Sequence, residues 1–597
     1  MLTLRLCAAV ALLLCCWANL AAALIKNPGW WRNTVFYQIY PRSFMDSNDD
    51  GIGDIKGITM KLQHFKDSGI GAIWLSPIYA SPMIDFGYDI SDFRDIEPDY
   101  GTMKDLEELT KKAKEMGIKV IMDLVPNHTS DKHDWFVKSF NGIGKYKDYY
   151  IWRGNDSSKL PNNWISVFSG PAWTFNKTRG MHYFHQFEYR QPDLNYANPD
   201  VRQEMEEIIK FWLSKGIDGF RVDAIPHVYE NDDLLDEPRS NDPNAGPRDY
   251  GYLNHIYTKD DQRSYDLIQS WRKILDDWAH ERDEDEKVIM TEAYTSLVNT
   301  TKFYDYGSHV PFNFNFIMSV NNKSTAAEFK SVIDDWISHT PKPHGVANWV
   351  MGNHDRSRTA TRYPGRADQM TMLAMILPGI AVTYNGEEIA MEDKLDISWE
   401  ETMDPQACNT DPEHYKSRTR DPNRTPFQWD ATTNAGFSKA KTTWLPVHEN
   451  YPHLNLDLQK KDHGSHYWLY KNLTTLRASS DTLKHGELMT EVLNNGKALA
   501  VVRKNVESPE RIILVINFLD EESQEVDVSK FTNGEREFDV ILSSQGSGAT
   551  GTKTPTSKVK LQAKASVILR GNDAPSFAVI SNLLIIFGVF ANKLYSM

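Results

Sequence analysis

The feature that most constrains this fold is a repeated alternation of short apolar strands and amphipathic helices between about residues 35 and 390. The stretch Met103–Met116, for example, carries apolar side chains on one helical face and ends at Gly117. Strands separated in this way by helices are typical of an α/β fold of the (β/α)8 TIM-barrel type. The predicted strands are Val35–Tyr40, Ala72–Leu75, Lys119–Leu124, Gly219–Val222, Val288–Thr291, Val310–Asn315, Ala347–Met351 and Ile380–Tyr384.

The alternation is interrupted once, after the third predicted strand. Residues 129–191 are rich in Trp, Tyr, Asn and Gly and show no strand–helix alternation, so we predict an inserted subdomain there. We assign the barrel to residues 24–128 and 192–489.

Beyond residue 490 the pattern becomes all-β, and we predict a small antiparallel β-sandwich over residues 490–570. Ser543–Ser557 is rich in Gly, Ser and Thr and is predicted to be a loop. The predicted strands are Ala498–Arg503, Arg511–Phe518, Ser523–Val528, Phe538–Leu542 and Val559–Leu561.

The first 23 residues have the pattern of a secretory signal peptide, with Arg5, an apolar run Leu6–Trp17 and a small-residue cleavage site at Ala21–Ala23. An N-terminal membrane anchor is the alternative, but the apolar run is shorter than the ~20 residues that span a bilayer. Cleavage would remove three of the four cysteines and leave only Cys408, so no internal disulfide is expected.

The C-terminal end carries a second targeting pattern. Small residues at Gly571–Ala574 precede an apolar tail, Phe577–Ala591, which is typical of a GPI-anchor signal over residues 571–597. A single transmembrane helix is the alternative. Either anchor would place the protein on the extracellular face of the cell membrane.

The charge balance excludes some partners. Lys and Arg total 66 against 81 Asp and Glu, which gives a net charge of −15. No basic run is present, so neither nucleic acid nor an anionic membrane surface is expected as a partner. A neutral small-molecule substrate is compatible with this charge.

Ionisable side chains follow four of the predicted barrel strands. The sequence Asp123–His128 lies at the end of strand three, strand four contains Arg221 and is followed by Asp223, and strand five is followed by Glu292. Strand seven is followed by His354 and Asp355. Because functional residues of such barrels gather at the carboxyl ends of the strands, these side chains are expected to share one rim.

The motifs DLVPNH, GFRVDAIPH, TEAY and MGNHD, together with QPDLN at 191–195, resemble those of the α-amylase superfamily, glycoside hydrolase family 13. The QPDLN form resembles the oligo-1,6-glucosidase and α-glucosidase branch. The resemblance covers roughly residues 30 to 570, and both ends of the chain are similar to those of membrane-bound insect midgut maltases. It implies an exo-acting, retaining α-glucosidase.

Retaining glycosidases use two carboxyl groups about 5–5.5 Å apart. The resemblance implies Asp223 as the nucleophile and Glu292 as the general acid and base. Arg221 precedes Asp223 by two residues on one strand, so both side chains point the same way. Its charge is expected to keep Asp223 ionised, and the pKa of Glu292 is expected to exceed that of Asp223.

The resemblance also implies contacts to the glucose ring. Asp355, the third catalytic carboxylate, would bind the 2- and 3-hydroxyls, and His128 and His354 would donate hydrogen bonds to the same sugar.

Three further residues are expected to close the pocket beyond the terminal glucose. Asp85 and Arg420 would hold the 4-hydroxyl end, and Tyr88 would stack beneath the ring. Such a pocket implies attack from the non-reducing end. Ala224, where the oligo-1,6-glucosidase branch commonly has Val, favours maltose and sucrose over isomaltose.

A metal site is also expected. Residues 46–54 alternate oxygen-bearing side chains around a glycine turn, and Ca²⁺ takes six to eight oxygens. The loop departs from an EF-hand because its twelfth position is Gly57, and a solvated acidic turn is the alternative. The resemblance implies a structural Ca²⁺, and no organic cofactor, with the ligands Asp46, Asn48, Asp50, the Ile52 carbonyl and Asp54.

Two other functions use the same fold. Amino-acid transporter heavy chains resemble this family but are binding partners that have generally lost the catalytic carboxylates. Transglycosidases and sucrose isomerases keep the carboxylates and differ in whether water or a sugar attacks the intermediate. Some insect maltases also serve as docking sites for bacterial toxins, and such a partner is a further hypothesis for this chain.

Overall fold

Eight parallel strands form the centre of the fold in a computed structural model that describes residues 25–572. Numbered along the chain, they lie in the order 6-5-4-3-2-1-8-7, so the first and eighth strands are neighbours. Between strands six and seven, the Asn348 side chain accepts from the Asn313 amide (2.8 Å) and donates to the Pro311 carbonyl (2.5 Å). The predicted barrel is confirmed. Its strands are Val35–Ile39, Ala72–Leu75, Lys119–Leu124, Gly219–Val222, Val288–Thr291, Val310–Pro311, Asn348–Val350 and Ile380–Tyr384.

The sixth strand is shorter than predicted. It ends at Pro311, because the Asn313 side chain accepts from the Asn315 amide (3.1 Å) and the chain turns into a short helix, Asn315–Met318. The helical segment between the first and second strands consists of two helices, Ile55–Met60 and Leu62–Asp67, which meet at Lys61.

Helices follow every barrel strand. Asn198 caps one of them by accepting from the Asp200 amide (2.9 Å), with Pro199 at its first position. These helices are Ile55–Met60, Leu62–Asp67, Met103–Glu115, Pro199–Ser214, Gln262–Arg282, Leu297–Lys302, Asn315–Met318, Ala326–His339, Thr359–Arg362, Ala367–Ile376, Pro405–Cys408, Leu456–Lys461, His466–Ser479 and Asp481–His485.

The stretch between the third strand and its helix forms its own small layer. A helix, Asp134–Phe140, precedes a three-stranded antiparallel sheet of Trp152–Arg153, Met181–Phe184 and Trp173–Asn176. The Asn127 side chain donates to Asp193 Oδ2 (2.9 Å) and ties the end of this layer to the barrel rim. A short hairpin, Tyr79–Ala80 with Asp92–Ile96, lies in the segment after strand two.

The C-terminal region contains a six-stranded antiparallel sheet and a separate strand pair. Alternate residues of its central strands face opposite ways: Leu499 and Val501 join the barrel core, whereas Ala500 and Val502 join a second core. Both faces are therefore buried. In chain order, the strands are Glu487–Leu493, Ala498–Lys504, Glu510–Asn517, Gln524–Val526, Glu537–Ser543, Lys553–Pro555, Val559–Leu561 and Ser566–Asn572.

Three of these strands were not predicted from the sequence. Glu487–Leu493 lies at a sheet edge, where polar residues are tolerated and the apolar signal is weak. Lys553–Pro555 lies within the predicted loop Ser543–Ser557 and pairs with Glu537–Asp539, so that prediction was wrong over those residues. Ser566–Asn572 is central in the sheet.

The predicted signal peptide lies outside residues 25–572, and so does the predicted anchor signal apart from Gly571 and Asn572, which end the last strand. Within the described range, no helix has the length and apolar character needed to span a membrane. Cys408 is a free, exposed cysteine.

Candidate active site

The carboxyl ends of the barrel strands surround a cavity of about 390 Å³. Its wall also includes side chains from the inserted subdomain and from the segment after the eighth strand, which approach the rim from outside the barrel. Of the predicted catalytic and sugar-binding residues, only Arg221 is absent from the wall. The others that line it are Asp85, Tyr88, His128, Asp223, Glu292, His354, Asp355 and Arg420.

Arg221 lies behind the cavity and holds three carboxyl groups. Its Nη1 atom is 2.5 Å from Asp223 Oδ1 and 2.9 Å from Asp123 Oδ1, and its Nη2 atom is 2.6 Å from Glu292 Oε1. Only 1% of the arginine is exposed, so water does not screen these contacts. One guanidinium therefore places Asp223 and Glu292 side by side.

Three acidic groups around one cation do not all ionise easily. Burial raises the pKa of Glu292 to about 8, opposed by Arg221 and reinforced by the charges of Asp223 and Asp355. Burial also raises the pKa of Asp223 to about 6, and Asp123 adds to that rise against the effect of Arg221. The expected order of the two pKa values is present, but Arg221 does not bring the pKa of Asp223 below its ordinary value, because burial outweighs it.

Asp355 has the opposite electrostatic environment. Its Oδ1 atom accepts from Arg424 Nη2 (2.9 Å) and Arg420 Nη1 (3.1 Å). Burial raises the pKa of this carboxyl, but His354, Arg420 and Arg424 together lower it far below its ordinary value. Asp355 is therefore ionised throughout the physiological range.

Arg420 also joins two segments that are far apart in the sequence. Its Nη2 atom is 2.9 Å from Asp85 Oδ1 and 2.7 Å from Asp404 Oδ1, and its Nε donates to Asp404 Oδ2 (2.9 Å). Asp85 and Asp404 are 5% and 0% exposed. Arg420, Asp85 and Asp404 thus form a buried network beside the cavity, and not a surface ion pair.

His354 and Tyr88 support each other beside the reacting groups. Their rings stack at 5.4 Å with an interplanar angle of 6°, and the Tyr88 hydroxyl contacts His354 Nε2 (2.8 Å) and donates to Asp123 Oδ2 (3.1 Å). Gln38 Nε2 lies 2.7 Å from His354 Nδ1, which assigns the ring proton to Nε2, on the cavity side. Burial lowers the pKa of His354 to about 3, so the ring is neutral.

His128 lines the opposite part of the wall. Its Nε2 atom is 3.2 Å from the Tyr88 carbonyl, and Asn127 Nδ2 is 3.3 Å from its Nδ1. Burial lowers its pKa to about 4. In this arrangement the Nε2–H group donates to the Tyr88 carbonyl.

Ala224 follows the predicted nucleophile and has a left-handed backbone, with φ of 46°. Its amide donates to Glu292 Oε2 (3.1 Å), and its methyl group lies in the cavity wall. A β-branched residue would be strained in this backbone conformation. The turn at Ala224 thus favours a small side chain in this part of the cavity wall. Through the Ala224 amide, it also fixes the position of Glu292.

The predicted calcium loop folds onto its own backbone. Asp46 accepts from the amides of Asn48 (2.9 Å) and Gly51 (2.8 Å), and Asp50 accepts from the Ile52 amide (2.8 Å). Asp54 instead caps a helix by accepting from the Gly57 amide. No group of three or more acidic, His or Cys side chains within residues 25–572 is arranged to hold a metal ion, so calcium binding stays a prediction.

Sequence reasoning did not assign roles to three of these residues. Asp123 begins the strand-three motif, so its position was visible although its contact with Arg221 was not. Arg424 lies four residues after Arg420, and its contact with Asp355 was not predicted. Asp404 caps the short helix Pro405–Cys408 by accepting from the Gln406 amide, and nothing in the nearby sequence indicates that it also holds Arg420.

Residues 38–486 match the sequence profile of the family described as alpha amylase, catalytic domain. Maltase 1 of Drosophila virilis is 49% identical over 519 residues, which cover 85% of this chain and 81% of that protein. The human amino acid transporter heavy chain SLC3A1 is 36% identical over 577 residues, which cover 95% of this chain and 81% of that protein. A solved alpha-glucosyl transfer enzyme, XgtA, superposes with a TM-score of 0.80 at 29% identity, covering 91% of this chain and 99% of that one.

Proposed function

The chain belongs to the alpha-amylase catalytic-domain family, and on that premise we propose that it is an exo-acting, retaining α-glucosidase. Its substrates are maltose, sucrose and short oligosaccharides with a terminal, non-reducing α-linked glucose. The observation that carries this proposal is the contact of one buried guanidinium, that of Arg221, with both Asp223 and Glu292. A retaining mechanism requires such neighbouring carboxyl groups with different pKa values.

In the first step, an Asp223 oxygen attacks the anomeric carbon as the bond to the leaving oxygen breaks. That oxygen takes the proton of Glu292, whose raised pKa keeps it protonated near neutral pH. In the second step, the Glu292 carboxylate takes a proton from water while the water oxygen attacks the anomeric carbon and releases Asp223. Glucose leaves with its original anomeric configuration, and the two carboxyl groups return to their starting states.

The wall residues hold the glucose during both steps. Asp355 is permanently ionised and accepts hydrogen bonds from sugar hydroxyls, whereas the Nε2–H group of His354 donates to the Tyr88 hydroxyl and holds that ring in the cavity wall. Asp85 and Arg420 bind the 4-hydroxyl of the terminal glucose. Recognition of a free 4-hydroxyl selects the non-reducing end of the substrate, so cleavage proceeds from that end.

Hydrolysis of this kind uses no organic cofactor. We propose a purely structural Ca²⁺ at Asp46, Asn48, Asp50, Ile52 and Asp54, which the set of oxygen donors supports. Chelation is expected to lower the melting temperature, and added Ca²⁺ to restore it. A melting temperature that does not change on chelation would contradict calcium binding at these residues.

We further propose that residues 571–597 direct GPI anchoring, so that the enzyme acts on the outer cell surface. The last strand ends at Asn572, directly at the small residues of the predicted attachment site, which is compatible with cleavage there. Phosphatidylinositol-specific phospholipase C is expected to release activity from intact cells. Retention after this treatment would favour a transmembrane helix instead.

The enzymatic proposal is tested by glucose release from maltose, sucrose, isomaltose and trehalose. We expect rapid release from maltose, with the α-anomer appearing first by NMR. Isomerised or elongated sugars in place of glucose would instead favour a transglycosidase. A folded protein that releases nothing would indicate a binding role, as in the transporter heavy chains.

A further inference from the structure

The C-terminal sheet is joined to the barrel at both ends of one helix, which fixes the direction of its strands. The helix Ala367–Ile376 leads into the eighth strand, so its first turn lies toward the catalytic rim and its last turn lies at the opposite end of the barrel. At its start, Arg366 Nη2 donates to the Phe518 carbonyl (2.7 Å). At its end, the Ile376 carbonyl accepts from Arg503 Nη1 (2.8 Å). The sheet therefore runs along the barrel from the catalytic rim to the opposite end.

The last strand of the sheet runs away from the catalytic rim. The strand Glu510–Asn517 begins at the Arg503 end of the sheet and ends beside Phe518, at the rim. The strand Ser566–Asn572 is antiparallel to it, and Asn572 pairs with its first residue. Asn572, next to the predicted anchor attachment site, thus lies at the end of the barrel opposite the cavity.

A hairpin turn, residues 505–509, lies at the same end, because the strands on both sides of it meet the last strand near Asn572. Val506 in this turn is 85% exposed, more than any other large apolar side chain within residues 25–572. Lys504 Nζ lies 3.4 Å from Glu487 Oε2, so the charge of this lysine is paired. An apolar tip without an excess of basic charge fits neutral lipid headgroups better than an anionic surface.

We propose that the end of the barrel opposite the catalytic cavity faces the lipid surface, with the turn 505–509 nearest to the headgroups. This inference rests on the GPI anchoring proposed above. An anchor attached within a few residues of Asn572 brings this end of the protein closest to the membrane. The catalytic cavity then opens away from the membrane, so that oligosaccharides enter it directly from the extracellular fluid.

The test measures energy transfer from a dye on the full-length protein to an acceptor lipid in the outer leaflet of intact cells. Cys408→Ser first removes the exposed native thiol. In that background, Val506→Cys and Glu507→Cys each place a membrane-impermeant dye on the turn. Ile256→Cys is the matched control, since Ile256 is 60% exposed in the segment after strand four, which contributes to the cavity wall.

Transfer from the two turn positions is expected to be about threefold or more stronger than transfer from Ile256, because a folded domain of this length is on the order of 50 Å across. Equal transfer from both ends, or stronger transfer from Ile256, would overturn the inference.

Phosphatidylinositol-specific phospholipase C separates this inference from the anchoring proposal. If the enzyme releases the labelled protein but transfer from the turn was not the stronger, the anchor is correct and the orientation is wrong. If the protein stays on the cells, GPI anchoring is wrong, and the transfer ratio still decides which end of the barrel faces the membrane.

Discussion

Two buried clusters of arginine and carboxylate line the same cavity, yet they differ in charge state. Around Arg221, three carboxyl groups share one cation, and the pKa values of Asp223 and Glu292 are raised. Around Asp355, two arginines contact one carboxylate oxygen, and its pKa is strongly lowered. The ratio of cations to carboxylates, rather than burial alone, therefore distinguishes the cluster that transfers protons from the cluster that binds sugar.

Asp404 and Asp85 refine this comparison. Asp404 makes a bidentate contact with Arg420 and has a lowered pKa despite its burial. Asp85 contacts the same arginine through one oxygen, and burial raises its pKa. Geometry of the contact thus matters as well as the number of cations.

The largest effect is expected from Asp223→Asn. It removes the nucleophile but preserves the shape of the side chain, so kcat for maltose should fall about 10⁴-fold or more. Circular dichroism and thermal melting would check that the variant is folded. A fall of less than tenfold would mean that Asp223 is not the nucleophile.

Arg420→Lys is expected to have a smaller effect, mainly on sugar binding. Lys cannot reproduce the bidentate contact with Asp404 and the contacts with Asp85 and Asp355 at once, and losing part of a buried ion network costs about 3 kcal/mol. We expect kcat/KM for maltose to fall roughly 10²-fold, mostly through KM. A fall in kcat with KM unchanged would show that the cluster acts in the chemical step.

Ala224→Val tests the part of the cavity wall that directly follows Asp223. The larger side chain should alter the ratio of isomaltose to maltose hydrolysis by about tenfold, in favour of isomaltose. The left-handed backbone at this position should also cost stability, because valine is strained there. An unchanged ratio in a folded variant would remove residue 224 as the determinant of linkage.

The smallest effect is a change in pH dependence. For kcat/KM, activity should fall below pH about 6 as Asp223 is protonated and above pH about 8 as Glu292 loses its proton. Asp123→Asn removes a charge that raises the pKa of Asp223, so the acidic limb should move to lower pH. An acidic limb that stays in place would show that Asp123 does not couple to the nucleophile.

The two clusters also differ in how far the sequence predicts them. Asp223, Glu292 and Arg221 follow barrel strands, so the strand pattern and the motifs together place them at one rim. Asp404 follows no strand, and its contact with Arg420 depends on the path of an irregular segment that local sequence does not determine. The rise in the pKa of Asp223 was not predicted from the sequence, because it comes first from burial and then from Asp123, whose distance to Arg221 became apparent only in the structure.

Covalent trapping tests the central claim most directly. The protein would be treated with 5-fluoro-α-glucosyl fluoride, which slows hydrolysis of the intermediate, and its peptides would be analysed by mass spectrometry. We expect one fluoroglucosyl ester on the peptide that contains Asp223, and none in Asp223→Asn. An ester on another carboxyl group, or active turnover that releases β-glucose without any ester, would contradict the account.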